Sequence, residues 1–318
     1  MNFRVNKTGV NEIKNNMLIK TVIFYTALFF LPGILSAEKL QIVTTTEDLK
    51  YFAEQIADNH AEVTSLVRGN EDPHFVLPRP DYIMKLNRAD VFIQVGLDLE
   101  EGWAPGLIRQ SKNKKIQLNA PGFCDASRGA RILQIPQRRV SRLQGDIHAQ
   151  GNPHYWTDPL NAVIAARNIR DTLIQIDSKN SDAYRKNFTN FSNRMKNLTL
   201  TLKRQYSAEG KFSVAVFHSE FIYLSNRFGF DIAVTLEEKP GVPPSASYLK
   251  KTVEIIKRKN IKVILISPSN NPRYAQTVAR ETGAKVILMP ISVGSEDKIK
   301  TYEDSQKEMA RRLLKDVK

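Results

Sequence analysis

Short apolar runs rich in β-branched residues alternate with helix-length segments along most of this chain, and that alternation restricts the fold more than any other feature. The runs at 40–44, 63–67 and 91–95, and later at 214–217, 232–236, 263–266 and 286–288, read as buried strands. Between them, 47–57, 99–111, 245–258 and 272–282 have helical length. Strand and helix in this order imply an α/β architecture, with mostly parallel sheets flanked by helices. The stretch 159–206 carries no strand signal and separates the two sets. Two lobes follow, as a chain of 318 residues also suggests, since a single core of that size is near its practical limit.

Within the strandless stretch, Tyr184, Phe188, Phe191, Met195, Leu198 and Leu202 are spaced 4, 3, 4, 3 and 4 apart, which puts them on one face of one helix. Aromatic residues at that period are core residues. A helix over about 181–206 would be roughly 40 Å long at about 1.5 Å per residue, enough to run along both lobes as a rigid tie. The chain thus divides into residues 38–158, an N-terminal α/β lobe; 159–210, a linking helical segment; and 211–318, a C-terminal α/β lobe. A binding site is expected in the cleft between the lobes, and wide hinge motion is not.

The first 37 residues read as a secretory signal peptide. Arg4, Lys7, Lys14 and Lys20 precede the apolar run TVIFYTALFFL at 21–31, which is followed by Pro32-Gly33 and Leu35-Ser36-Ala37. Eleven residues are too few to span a bilayer as a helix, which takes about 20. Cleavage is expected after Ala37, with Met1 or the internal Met17 as the start. No cysteine follows the apolar run, which argues against a lipid anchor, and export implies a periplasmic location. Without residues 1–37 the net charge falls from +14 to +11, because four basic residues and Glu12 are removed. No basic motif interleaved with aromatics accompanies this charge, so nucleic acid is not an expected partner. The chain has one cysteine, Cys124, so neither an intramolecular disulfide nor a thiolate cluster can form. Any metal must be held by histidine and carboxylate.

Of the five histidines, His74, His154 and His218 occupy equivalent places in the pattern. His74 closes the turn-rich Gly69-Asn70-Glu71-Asp72-Pro73-His74 after a strand. His154 lies in Gly151-Asn152-Pro153-His154-Tyr155-Trp156-Thr157-Asp158-Pro159, where Asp158 can cap a helix or orient an imidazole. His218 directly follows a strand. Loops at the C-terminal ends of strands are where α/β proteins build sites. Three neutral imidazoles suit Zn²⁺, whereas Mn²⁺ favours more oxygen ligands. His60 and His148 read as surface or outer residues, and Cys124 as a small packed one.

The chain resembles the periplasmic solute-binding proteins of zinc and manganese ABC transporters, of the ZnuA and TroA type, over nearly all of its length after the leader. The resemblance is carried by Thr44-Thr45-Thr46; by Glu71-Asp72-Pro73-His74 with Pro78, Pro80 and Asp81; and by Gly96-Leu97-Asp98-Leu99-Glu100 before Trp103. It continues through the segment 151–159, His218 with Tyr223 and Phe228-Gly229, and Pro243-Pro244-Ser245. It implies two α/β lobes joined by one long helix, with a metal bound between them and delivered to a membrane permease by a monomeric binder. His74, His154 and His218 match the family's first three ligand positions, and a histidine at the third favours zinc over manganese.

The chain departs from the family pattern in two places. The carboxylate that many members supply after the last strand is replaced by Leu288-Met289-Pro290-Ile291, which leaves Glu237, Glu238, Glu220 or water for a fourth ligand; Glu237 is the choice made here. The loop rich in histidine and acid between the first two ligands is also absent. Two other readings compete: the same fold loaded with manganese, iron or a metal chelate, and a zinc hydrolase with Glu220 as general base. The hydrolase lacks support from any H-E-x-x-H or G-x-S-x-G segment, so the chain is not expected to be an enzyme.

Overall fold

The computed structural model describes residues 1–2, 39–137, 145 and 148–317. The expected leader from residue 3 onward, with its cleavage point after Ala37, lies outside the described residues. The first sheet contains β1 (Leu40–Thr44), β2 (Ala61–Ser65), β3 (Val91–Gln94) and β4 (Phe123–Asp125), all parallel, in the order β2-β1-β3-β4. The second repeats the pattern with β5 (Ser213–Val216), β6 (Asp231–Thr235), β7 (Val263–Ile266) and β8 (Lys285–Leu288), in the order β6-β5-β7-β8. The helices are α1 (Glu47–Ala57), α2 (Pro80–Arg88), α3 (Ala104–Ser111), α4 (Pro159–Ile176), α5 (Ser181–Ala208), α6 (Ile222–Phe228), α7 (Ala246–Arg258), α8 (Pro272–Thr282) and α9 (Tyr302–Asp316).

Both faces of each sheet are buried, which is why the strands read as unbroken apolar runs. On β1, Ile42 points into the largest core, and Val43 points into a second one with Leu86, Phe92 and Leu107 beneath α2 and α3. On β5, Val214 joins the largest core, and Ala215 joins a third with Val253, Ile264 and Val278 beneath α7 and α8. The largest core therefore holds the inner faces of both sheets and the helices between them, through Phe52, Ile169, Phe191 and Tyr302. Phe52 meets Phe191 and Tyr302 edge to face, at 5.5 and 5.2 Å between ring centroids.

The long helix α5 has 28 residues. Tyr184, Phe191, Met195, Leu198 and Leu202 are buried as the spacing predicts, and Phe188 is half-buried under the guanidinium of Arg170, 4.4 Å from its ring centroid. Asn187 donates a hydrogen bond to the Ile56 carbonyl at the end of α1, 3.1 Å. Near its other end Tyr206 stacks on Phe228 of α6 at 4.7 Å. The helix packs against α1, α4, α6 and α9, helices that flank both sheets.

Beyond shifts of a residue at the ends of several elements, some details differ from the sequence reading. The paired part of β2 begins two residues earlier, although hydrogen bonds from Leu66 and Val67 to Thr44 and Thr45 extend the contact. β4, a three-residue edge strand, was not among the expected strands. The segment read as helical is divided between α4 and α5, with α4 in its first part, capped by Asp158. α3 begins at Ala104 instead of residue 99, because Gly96, Leu97 and Asp98 are all left-handed, with φ of 86°, 55° and 65°. The buried Glu100 carboxylate closes that loop by accepting hydrogen bonds from the Val95 and Gly96 amides and the Thr45 hydroxyl, and burial pushes its pKa up to about 7. Cys124 is buried on β4, and burial pushes its thiol up to about 12, so it is inert packing.

Candidate metal centre

The central strands β1 and β5 each lie where the strand order reverses, which is where an open α/β sheet presents a crevice at its C-terminal edge. His218 immediately follows β5, His74 stands on the loop after β2, and His154 opens the turn at Tyr155–Thr157 that leads into α4. The fold brings these three together: one ring nitrogen from each lies within 4.8 Å of the others. Ring centroids are 5.1 Å apart for His74 and His154, 5.7 Å for His74 and His218, and 5.1 Å for His154 and His218. The cavity they line also contains Asp72, Glu220 and Glu237.

Each ring is held from outside by an oxygen on Nδ1. Asp72 Oδ1 accepts from both the backbone amide and the Nδ1 of His74, at 2.9 and 2.8 Å. Asn152 Oδ1 accepts from both the amide and the Nδ1 of His154, at 3.0 and 2.9 Å. The two segments, Asp-Pro-His and Asn-Pro-His, are thus one local device. The Asx side chain grips the histidine two residues on, and the proline between fixes its own φ and brings no competing amide hydrogen. Glu237 Oε2 does the same for His218 at 2.8 Å, from the loop after β6. An oxygen that only accepts puts the proton on Nδ1, so each Nε2 carries its lone pair. In His74 that Nε2 is buried without a hydrogen-bond partner among the described residues.

Glu237, expected as the fourth ligand, is therefore found behind His218, where its Oε2 also receives the Gly241 amide at 3.1 Å. Glu220, another acid weighed in that role, is buried with Oε1 unpartnered among the described residues, and burial pushes it up to about 7. Met289 is buried where many family members are expected to have a carboxylate. His60, read as an outer residue, meets Tyr184 edge to face at 5.8 Å, away from the cluster. His148, given the same reading, has its ring 5.2 Å from that of His74. Asp72 and Asn152 were not singled out as functional, although the repeated Asx-Pro-His spelling was the signal for them.

Electrostatics distinguish the three rings. His154 is held well below the ordinary imidazole range by burial and by its histidine neighbours. Burial also opposes charge on His218, but the hydrogen bond it donates to Glu237 and the nearby charges of Glu220, Glu237 and Asp72 outweigh it and raise its pKa. The Asp72 carboxyl is lowered by His74 despite its own burial. Hydrogen bonds from neighbouring side chains tie the loops of the site to the sheets around it. Trp103 Nε1 donates to the Pro73 carbonyl at 2.9 Å, Tyr155 OH to the Val95 carbonyl at 3.0 Å, and Asn152 Nδ2 to the Ser219 carbonyl at 2.9 Å. Three preset imidazoles facing one point from two sheets can capture a divalent ion, and the acids behind them stabilise its charge.

The family model ZnuA, described as the periplasmic component A of a zinc-uptake complex, matches residues 42–315. The chain is 27% identical over 256 residues to the manganese ABC transporter substrate-binding lipoprotein PsaA of Streptococcus pneumoniae, covering 79% of each chain. It is 26% identical over 279 residues to the high-affinity zinc uptake system protein ZnuA of Bacillus subtilis (strain 168), covering 85% of each. Among solved structures, a crystal structure of ZnuA superposes with a TM-score of 0.75 at 22% identity, covering 88% of this chain and all of the other.

Proposed function

Since the chain belongs to the ZnuA family of metal ABC transporter solute-binding proteins, we propose that it captures Zn²⁺ outside the cytoplasmic membrane and hands it to an ABC-type permease for import. It is a solute-binding protein and not an enzyme. The ion is cargo here, held by His74, His154 and His218, with Glu237 assigned to orienting His218. The single observation that carries zinc over manganese is that the three clustered ligand atoms are all nitrogen, each on a ring anchored through its Nδ1. A manganese relative keeps the oxygen-rich alternative in view. Competitive titration of residues 38–318 with zinc and manganese separates the two. Expected is one zinc per chain, held at least tenfold more tightly than manganese; tighter manganese binding would overturn the choice of metal.

Zinc binding should also depend on pH with a definite sign. Each imidazole must be neutral to coordinate, so protons compete with the metal. In the free protein His218, whose pKa is raised, takes up a proton first on acidification, and His154, whose pKa is lowered, takes one up last. The logarithm of the affinity should fall by about one per pH unit once His218 protonates, an onset that its raised pKa moves above the ordinary imidazole value of about 6.5. It should steepen only at lower pH. An affinity that stays level between about pH 7 and pH 5 would argue against imidazole coordination.

A further inference from the structure

A zinc ion held by protein prefers four ligands in a tetrahedron, and the cluster of described residues offers three, all imidazole. A fourth imidazole lies at the edge of the cluster, against His74 and in a second hollow that His154 and His218 also line. The His148 ring lies 5.2 Å from His74 and tilted 41° to it, a separation like those among the three clustered rings. Its outer side hydrogen-bonds the Asp98 backbone carbonyl, and its Nε2 is buried with no partner among the described residues. That is the arrangement of His74: an oxygen on the outer nitrogen and a buried nitrogen without a partner among the described residues.

The Asp98 carbonyl is in place because of the left-handed run at Gly96, Leu97 and Asp98. Gln150 fastens the segment from the other side, its Nε2 donating to Asp98 Oδ1 at 2.7 Å, and a turn from the His148 carbonyl to the Gly151 amide, 3.1 Å, leads directly into Asn152 and His154. A buried ring nitrogen without a partner is costly unless something occupies it.

We propose that His148 is the fourth ligand of the captured ion, closing a four-imidazole zinc site in which it stands in for the carboxylate replaced by Met289. The proposal rests on the metal-binding reading above. The His148 nitrogen stands outside the group of three, so a small displacement of its ring completes the tetrahedron when the ion arrives. A site of four neutral nitrogens selects zinc over manganese more strongly than three nitrogens with an oxygen would. Glu220, with its free Oε1, then acts from behind as a charge that favours the cation.

The test uses the chain from residue 38 onward, with zinc and manganese in competition and Co²⁺ as a spectroscopic probe. Expected for His148→Ala is a zinc affinity lower by about 100-fold, a much smaller change for manganese, and loss of the intense visible bands of four-coordinate cobalt. His148→Gln should behave alike, and Glu220→Gln should keep the cobalt spectrum. Unchanged zinc affinity and cobalt spectrum in both His148 variants would overturn the fourth ligand while leaving the three-histidine site intact, provided that His154→Ala still lowers zinc affinity by about 100-fold or more. A cobalt spectrum lost in Glu220→Gln and kept in His148→Ala would overturn it in favour of the acid. Absence of zinc binding in the unaltered chain would remove the proposed function and this proposal together.

Discussion

His154→Ala will lower zinc affinity by about 100-fold or more and leave the melting temperature of the metal-free protein nearly unchanged. The size follows from what a ligand contributes. Protein zinc sites with four ligands bind with roughly 10–16 kcal/mol, about 3 kcal/mol per ligand, and about 1.4 kcal/mol is a factor of ten. His154 sits at the loss end of that range because it is 3% exposed and its two hydrogen bonds to Asn152 preset it. The fold should survive because truncation at Cβ leaves the Asn152 contacts to Ser219 and Gln134 and the Tyr155 contact to Val95 untouched. His60→Ala is the matched control: it removes an imidazole that faces Tyr184 and should leave zinc affinity where it was. Isothermal or competitive titration reads both. Equal affinities for His154→Ala and the unaltered chain would mean that the histidine cluster is not the site.

What was legible in the sequence and what was not divide along physical lines. Strands buried on both faces announce themselves as apolar runs, so β1 and β7 begin and end where the pattern says, and capped helices such as α1 and α8 do too. β4 was not legible because its three residues, Phe123-Cys124-Asp125, have no pattern of their own and are drawn into the sheet only by pairing with β3. The start of α3 was displaced because a buried carboxylate, Glu100, satisfies amides that a helix would otherwise have to use. The clustering of His74, His154 and His218 was legible because His74 and His218 lie in segments that leave strands and His154 stands in a turn-rich run that leads into a helix. Glu237 was legible as a member of the site but not in its role, since whether an acid meets a metal or the back of a ligand is decided by a loop geometry that spacing does not carry. His148 lies in a stretch with no regular structure, and its place depends on a carbonyl 50 residues away, at Asp98.

The segment that carries His154 depends for its stability on an ion pair, and Arg227→Ala should cost about 3 kcal/mol. Arg227 on α6 forks onto Asp158, Nε to Oδ1 at 2.7 Å and Nη2 to Oδ2 at 2.6 Å. The aspartate is 4% exposed and also caps α4 through the Leu160 amide at 2.9 Å. Removing the guanidinium leaves a buried carboxylate without its cation, and that desolvated charge, more than the lost contact, sets the cost. The low end of the 3–5 kcal/mol range is appropriate because the arginine side chain is 24% exposed, so water recovers part of the charge. For a chain of this size about 3 kcal/mol corresponds to roughly a 6 °C fall in melting temperature. The mechanism has its own check. Asn is as good a helix cap as Asp and carries no charge, so Asp158→Asn combined with Arg227→Ala should be more stable than Arg227→Ala alone. A double variant that melts no higher than the single one would show that packing of the arginine stem, and not the unpaired carboxylate, holds α6 against the start of α4.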